Sequence, residues 1–277
     1  MTTPQPQAQD QAYILGHSER ELVRLERQAA LFADLTRDIL LRAGLKKGMR
    51  VLDVGCGVGD VSLIASDIVG PDGAVIGLDP SQAALSVARA RAEAKGLDIS
   101  FVAGTLEETE IPADIDAVTG RFLLLHMADP GATMAELAKR LKPGTLISFI
   151  EFDISTSYAQ PALPLLHKCI ERIGEVYRRS GRTADMGAAL YPAYRAAGLA
   201  PDMIGLTRVS NDQDVDGFEF IVESTKSLMS AMEALGIASA VEIDIETLHD
   251  RLIEEAQAGH DPCIFYPRLV GAWARVS

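Results

Sequence analysis

Residues 51–60 read Val-Leu-Asp-Val-Gly-Cys-Gly-Val-Gly-Asp, an apolar strand that runs directly into a G-x-G-x-G turn. Glycines in such a turn let the backbone take positive φ and approach a ligand with no Cβ in the way. A second apolar run, residues 74–78, ends at Asp79, whose carboxylate is suited to accept from both hydroxyls of a ribose. Strand, glycine turn, strand and acid together constrain the chain to an α/β fold with a pocket for an adenosine-bearing cofactor.

The surrounding pattern agrees. Apolar residues Leu22, Leu25, Ala29, Phe32 and Ile39 form a helical stripe behind Ser18 and Glu21, which have capping-box spacing, and the stripe stops near Gly44. Strands are expected at 49–54, 74–78, 99–103, 115–119 and 145–152, with helices at 58–69 and 81–95. A further helix is expected between the Asp129-Pro130 cap and the Lys142-Pro143-Gly144 stop. This alternation implies a parallel sheet covered on both faces. After Asp153 the rhythm turns mainly helical, with a strand expected at 204–210 and a last short one at 270–276 that could close the sheet. No Pro-, Gly- or Ser-rich linker divides the chain, so residues 12–277 read as one domain behind a Pro/Gln-rich tail, 1–11. Its cofactor core spans about 45–155, with cap helices at about 12–44, 160–182 and 214–258.

Composition narrows the function. Hydrophobic residues make up 48% of the 277, enough for a sizeable core. With 26 basic against 39 acidic residues the net charge is −13, a surface that repels phosphate backbones and argues against nucleic acid as a partner. Acidic residues crowd the stretch from Asp212 to Asp261, best read as the solvated outer face of the cap helices. The tail lacks the basic and apolar regions of a signal, and no apolar run reaches the roughly 20 residues of a membrane span. Three scattered cysteines suit a reducing compartment. A cytoplasmic protein is expected, with a homodimer left open.

Two cofactors fit a glycine turn of this kind. A dinucleotide needs G-x-G-x-x-G, so that its pyrophosphate sits on a helix N-terminus. Here the glycines are Gly55, Gly57 and Gly59, followed by Asp60, an unfavourable charge beside phosphates. S-adenosylmethionine (SAM) carries no phosphate, and Asp53 could accept from its ammonium. The residues favour SAM.

Five segments carry a resemblance. Val51–Asp60, Gly77-Leu-Asp-Pro80, Phe101-Val-Ala-Gly-Thr105, Asp116–Phe122 and Leu141-Lys-Pro-Gly144 fall in the order of class I SAM-dependent methyltransferases. The chain resembles their small-molecule branch, near quinone-biosynthesis and natural-product enzymes. That likeness implies a Rossmann-like, seven-strand, mostly parallel sheet with its last strand antiparallel and a cleft at the strand C-termini. It places the backbone of Gly55, Cys56 and Gly57 against the methionine part, Asp79 on the ribose and Pro80 beside the adenine. Thr105 and Leu106 fall at the adenine amino edge, where the family usually has an acid before its neighbour; Thr105 departs from that pattern. Arg121 and Phe122 fall beside the transferring methyl. Tyr13 and Gln28 belong to an N-terminal segment like one that covers the cofactor in bacterial tailoring enzymes.

For catalysis, His126 follows the fourth strand at the cleft mouth and could act as a general base, or only tie its loop to a carbonyl. Glu151, ending the fifth strand, points to the same cleft. Cys56 reads as a small residue filling a tight turn, because nothing basic adjoins it. No metal is expected, since Arg121 stands where a carboxylate ligand would be wanted. The expected reaction is methyl transfer from SAM to a small, partly apolar acceptor at oxygen, nitrogen or aromatic carbon, in secondary metabolism. The alternatives are a SAM-binding regulatory protein without transferase activity and a protein methyltransferase.

Overall fold

The computed structural model describes residues 19–258 and 261–277, with side chains from residue 29. In chain order the first half contains α1 (Glu19–Ala43), β1 (Arg50–Val54), α2 (Asp60–Val69), β2 (Ala74–Asp79), α3 (Gln82–Ala94), β3 (Ile99–Ala103), β4 (Ala117–Arg121), α4 (Pro130–Lys139) and β5 (Leu146–Asp153). The second half adds β6 (Tyr158–Gln160), α5 (Pro164–Arg179), α6 (Met186–Ala196), β7 (Asp202–Leu206), β8 (Val209–Ser210) and α7 (Val215–Ser227). It ends with α8 (Met229–Ala234), α9 (Ala240–Ile243), α10 (Leu248–Ala258), β9 (Cys263–Phe265) and β10 (Arg268–Arg275).

Seven strands form one sheet in the order β3-β2-β1-β4-β5-β10-β7. β1 to β5 pair in parallel, and β10 runs antiparallel to both of its neighbours. The last strand therefore does not close an edge. It lies between β5 and β7, which leaves β3 and β7 as the edges. A strand order that reverses between β1 and β4 opens a crevice at the C-terminal ends of these two strands, where ligands bind in open α/β sheets.

Helices cover both faces. Ile39 of α1 lies against Gly271 of β10, where a Cβ would overlap it, so glycine is what lets this helix approach the sheet. Val270, one residue earlier, packs on the opposite face against Gly187 of α6. Tyr194 of α6 is fully buried. Its hydroxyl donates to Ala272 O at 2.7 Å and accepts from Phe149 N at 3.2 Å, pinning α6 to the β5–β10 ladder. Asp129 caps α4 by accepting from Ala132 N at 2.9 Å, as its position before Pro130 predicts.

Helices α5, α7, α8 and α10 pack on one another, and α7 also meets α1. α1 in turn packs on β5 and β10. A three-stranded sheet, β6-β9-β8, was not foreseen. Its strands of two or three residues are too short to show alternation. The fourth strand is displaced two residues beyond its expected bounds. Thr119, Gly120 and Arg121 are not an apolar run, yet all are buried.

Candidate functional site

The glycine turn leaves the end of β1 with Gly55, Gly57 and Gly59 at φ 67°, 53° and 84°. These are left-handed values that glycine takes without strain. Gly55 N and Cys56 N both donate to Leu78 O, at 2.8 and 3.1 Å, so the turn hangs from the end of β2. Asp79 completes the attachment. Its Oδ2 accepts from Gly57 N and its Oδ1 from Ser81 N, each at 2.9 Å. An ionised carboxylate offers about four acceptor sites, so Asp79 can hold the turn and still accept from a diol. A Cβ on Gly57 would meet nothing within 4 Å, so the crest of the turn faces open space. A Cβ on Gly55 would stand 2.8 Å from Leu123 Cδ1, so the first glycine is also required by packing.

Cys56 is buried in the turn, and burial pushes its thiol well above the ordinary range. It fills space and is no nucleophile. Pro80 is exposed beside Asp79. Past the end of β3, Thr105 Oγ1 and the Glu108 backbone N–H lie 3.4 Å apart, while Arg140 holds the carbonyls of Leu106 and Thr109. Leu106 itself is buried.

Asp53, two residues before the first glycine, is fully enclosed. Its Oδ2 accepts from Ser62 Oγ at 2.6 Å. Burial pushes its carboxyl up to about 7, with Ser62 and Arg121 opposing the shift and Asp60 and Asp79 adding to it.

Arg121 ends β4 with its guanidinium turned into the layer between sheet and helices. It donates to Thr36 Oγ1 of α1 at 2.8 Å, lies 3.5 Å from Asp60 Oδ2, and sits 5.1 Å from the Phe122 ring centre. Asp60 also pairs with Arg91 at 2.6 Å. The acid that disfavours phosphate thus anchors two arginines, 31 and 61 residues along the chain. Spacing that long hid the cluster from sequence reasoning. Burial lowers the Arg121 pKa, while Asp60 and Asp53 oppose that loss.

Phe122 follows at φ 57°, a left-handed value uncommon for a bulky residue. Its ring stacks on Phe152 at 3.8 Å. Phe32 of α1 meets both rings edge-on and also Phe220 of α7, at 5.6 Å. This aromatic group was not anticipated beyond Phe122, because its members come from four separate segments.

Glu151 lies in the interior of β5. Its Oε1 accepts from Leu123 N at 2.9 Å and from Leu124 N at 2.6 Å, clamping the loop after β4. Burial pushes its carboxyl up to about 8, against the pull of those backbone donors. The clamped loop makes a single 3-10 turn, Leu124–His126. His126 is half-buried there, its ring 6.5 Å from that of Tyr177 on α5. The structure therefore brings Asp53, Gly55, Cys56, Gly57 and Asp79 together at the turn. It sets Phe122, His126 and Glu151 around the adjoining loop. Tyr13 and Ser18 lie outside the described residues, as does the side chain of Gln28, whose backbone belongs to α1. Among the described residues no group of three His, Cys, Asp or Glu could hold a metal ion, and no helix is long and apolar enough to cross a membrane.

SAM fits these groups. The turn offers backbone over open space, Asp79 a ribose acceptor, and Asp53 a buried oxygen, Oδ1, with no partner among the described residues.

Comparison with known proteins agrees. A family described as methyltransferase domain matches residues 45–192. Demethylmenaquinone methyltransferase of Geobacillus stearothermophilus is 29% identical over 177 residues, 59% of this chain and 76% of that one. The 2-phytyl-1,4-naphthoquinone methyltransferase of Synechococcus elongatus is 37% identical over 126 residues, 44% of this chain and 52% of that one, so the chain spans about half its length. The fold is shared with geranyl diphosphate C-methyltransferase of Streptomyces coelicolor, solved with S-adenosylhomocysteine (SAH). The TM-score is 0.51 at 17% identity over 94% of this chain and 85% of that one. Since the family match covers more than half of the sequence, the chain belongs to the SAM-dependent methyltransferases.

Proposed function

We propose that the protein moves a methyl group from SAM to a small, partly apolar acceptor in secondary metabolism, at oxygen, nitrogen or an aromatic carbon. One observation carries the reading. Asp79, fixed against Gly57, and the aromatic group around Phe122 stand on either side of the β1–β4 crevice. A nucleoside seated on the first would present its other end to the second. The names of the two curated relatives refer to quinones, large apolar rings that suit an aromatic wall.

SAM supplies an electrophilic methyl on a sulfonium. The chain's part is to bind, align and keep water out. Asp79 would hold the ribose, the backbone at Gly55, Cys56 and Gly57 the methionine part, and Asp53 the ammonium. Pro80, Thr105 and Leu106 would border the adenine. Phe122 would flank the methyl. The Arg121 side chain serves Asp60 and Thr36, so what it offers the cleft is its backbone. Tyr13 and Gln28 would cover the cofactor from α1 and the segment before it. Where the acceptor is a hydroxyl or an N–H, His126 would take the proton, and Glu151 would hold the loop that carries His126. An electron-rich ring carbon would need alignment alone. In this reading residues 12–277 form a single domain, which works in the cytoplasm without nucleic acid, and the cap helices choose the acceptor.

Labelled SAM with a panel of quinols, phenols, indoles and amines tests the proposal. Transfer to a small acceptor supports it. Tight SAM binding with no transfer to any of them points to a regulatory binder, and labelling of proteins alone points to a protein methyltransferase.

A further inference from the structure

Three buried side-chain oxygens lie side by side across the middle of the sheet with no hydrogen-bond partner among the described residues: Asp53 Oδ1, Thr119 Oγ1 and Ser148 Oγ. Strand register places them in one row. Asp53 pairs with Thr119 across β1 and β4, and Thr119 pairs with Ser148 across β4 and β5. Directly paired residues project from the same face. That face is the one under α1 and α2, since Asp53 bonds to Ser62 of α2 and Arg121, two residues beyond Thr119, bonds to Thr36 of α1. The next position in the row is the half-buried Trp273 of β10, paired with Ser148. Two residues along β1, about 6.6 Å, separate the row from Gly55 at the start of the turn.

All three residues are almost fully buried. A buried hydroxyl or carboxylate oxygen without a partner is strongly disfavoured, and three adjacent ones are hard to explain as packing when valine or alanine would fill the same places. The three oxygens do not bond one another here, and neighbouring strands about 4.8 Å apart leave a spacing that a water can bridge. We propose that Asp53, Thr119 and Ser148 hold a line of buried water molecules beneath the glycine turn, and that this water keeps the Asp53 carboxylate ionised where the cofactor's ammonium binds. The second half of the statement rests on the proposed SAM site.

The charged groups facing Asp53 are Arg121 from β4, Asp60 from α2 and Asp79 from β2, with the Ser62 hydroxyl from α2 and Thr36 of α1 reaching it only through Arg121. With these groups alone burial pushes the carboxyl up to about 7, and water beside it would favour the ionised form.

An atomic-resolution crystal structure of the full chain tests the first half, and it needs no ligand. Ordered water between Asp53 and Thr119 and between Thr119 and Ser148 is expected; a dry row, or hydroxyls turned to backbone carbonyls, overturns the proposal. The second half is read by calorimetry with SAH across pH for the wild type and a Thr119→Val/Ser148→Ala double variant. Affinity should rise with pH as Asp53 ionises, and the midpoint of that rise should move up by about one unit in the variant. This means about tenfold weaker binding below both midpoints and equal binding above them. Thr119→Ser, which keeps the hydroxyl, should leave the midpoint in place and guards against a folding defect. An unmoved midpoint in the double variant overturns the electrostatic role. Failure of SAH to bind wild type at any pH counts against the SAM site itself, while the crystallographic result still decides the hydration.

Discussion

Glu151 is the residue where charge and geometry can be separated most cleanly. Its Oε1 accepts from two backbone N–H groups of the loop after β4, at 2.9 and 2.6 Å, and the side chain is fully buried. Glu151→Ala leaves both donors without an acceptor, at about 1–3 kcal/mol each, or about 2–6 kcal/mol together. Glu151→Gln keeps an acceptor oxygen in place and removes the titration, at a pH-independent cost for the amide nitrogen that replaces the unpartnered Oε2. The sign of the pH effect follows from the raised pKa. A carboxyl moved from an ordinary value near 4.5 up to about 8 in the folded protein holds its proton more tightly there. Its contribution to stability is complete below the ordinary value and is lost as pH rises toward 8, at about 1.4 kcal/mol per pH unit. Between about pH 5.5 and about pH 7.5 the wild type should therefore lose about 3 kcal/mol relative to Glu151→Gln, a difference in which the Asp53 titration cancels. Urea unfolding of wild type and both variants across this range measures it. Parallel stability curves for wild type and Glu151→Gln would refute the assigned burial, and an alanine variant as stable as the glutamine one would refute the clamp.

Three further outcomes are expected. Asp79→Ala removes the acceptor for Gly57 N and for the ribose, and should weaken SAH binding at least about 100-fold by calorimetry, given about 1.5–3 kcal/mol per charged hydrogen bond; unchanged affinity would remove Asp79 from the pocket. His126→Ala should slow transfer to a hydroxyl or N–H acceptor by about 100-fold or more while SAH affinity stays within about twofold, and an undiminished rate would exclude it as the base. Tyr194→Phe strips the buried hydroxyl from the β5–β10 ladder and should cost about 1–3 kcal/mol in urea unfolding with SAH affinity unchanged; a neutral result would contradict the bonds to Ala272 and Phe149.

The cofactor half of the molecule was legible because its signals are local. Glycines with positive φ, an apolar run before them and an acid closing the next strand all fall within residues 51–79, and the structure joins them by bonds between Gly55, Leu78, Gly57 and Asp79. The Asp129-Pro130 cap is local in the same sense. What depends on contacts across the chain was not legible. Periodicity says nothing of strand order, so the place of β10 between β5 and β7 was not legible, although its antiparallel sense is what the family resemblance implies. Arg121 was read toward the methyl because its partners, Thr36 and Asp60, lie far away in sequence. Ser239 and Glu242 did carry a readable signal. Their S-x-x-E spacing, the same as that of Ser18 and Glu21, forms a complete capping box at α9.

The central claim is that the turn after β1, together with Asp79, receives the adenosine end of SAM. A crystal structure of the full chain with SAH tests it directly. The account predicts both ribose hydroxyls on the Asp79 carboxylate, the thioether over Gly57 and the sulfur facing the Phe122 and Phe152 rings. SAH bound away from Asp79, or NADH occupying the turn in its place, would contradict it.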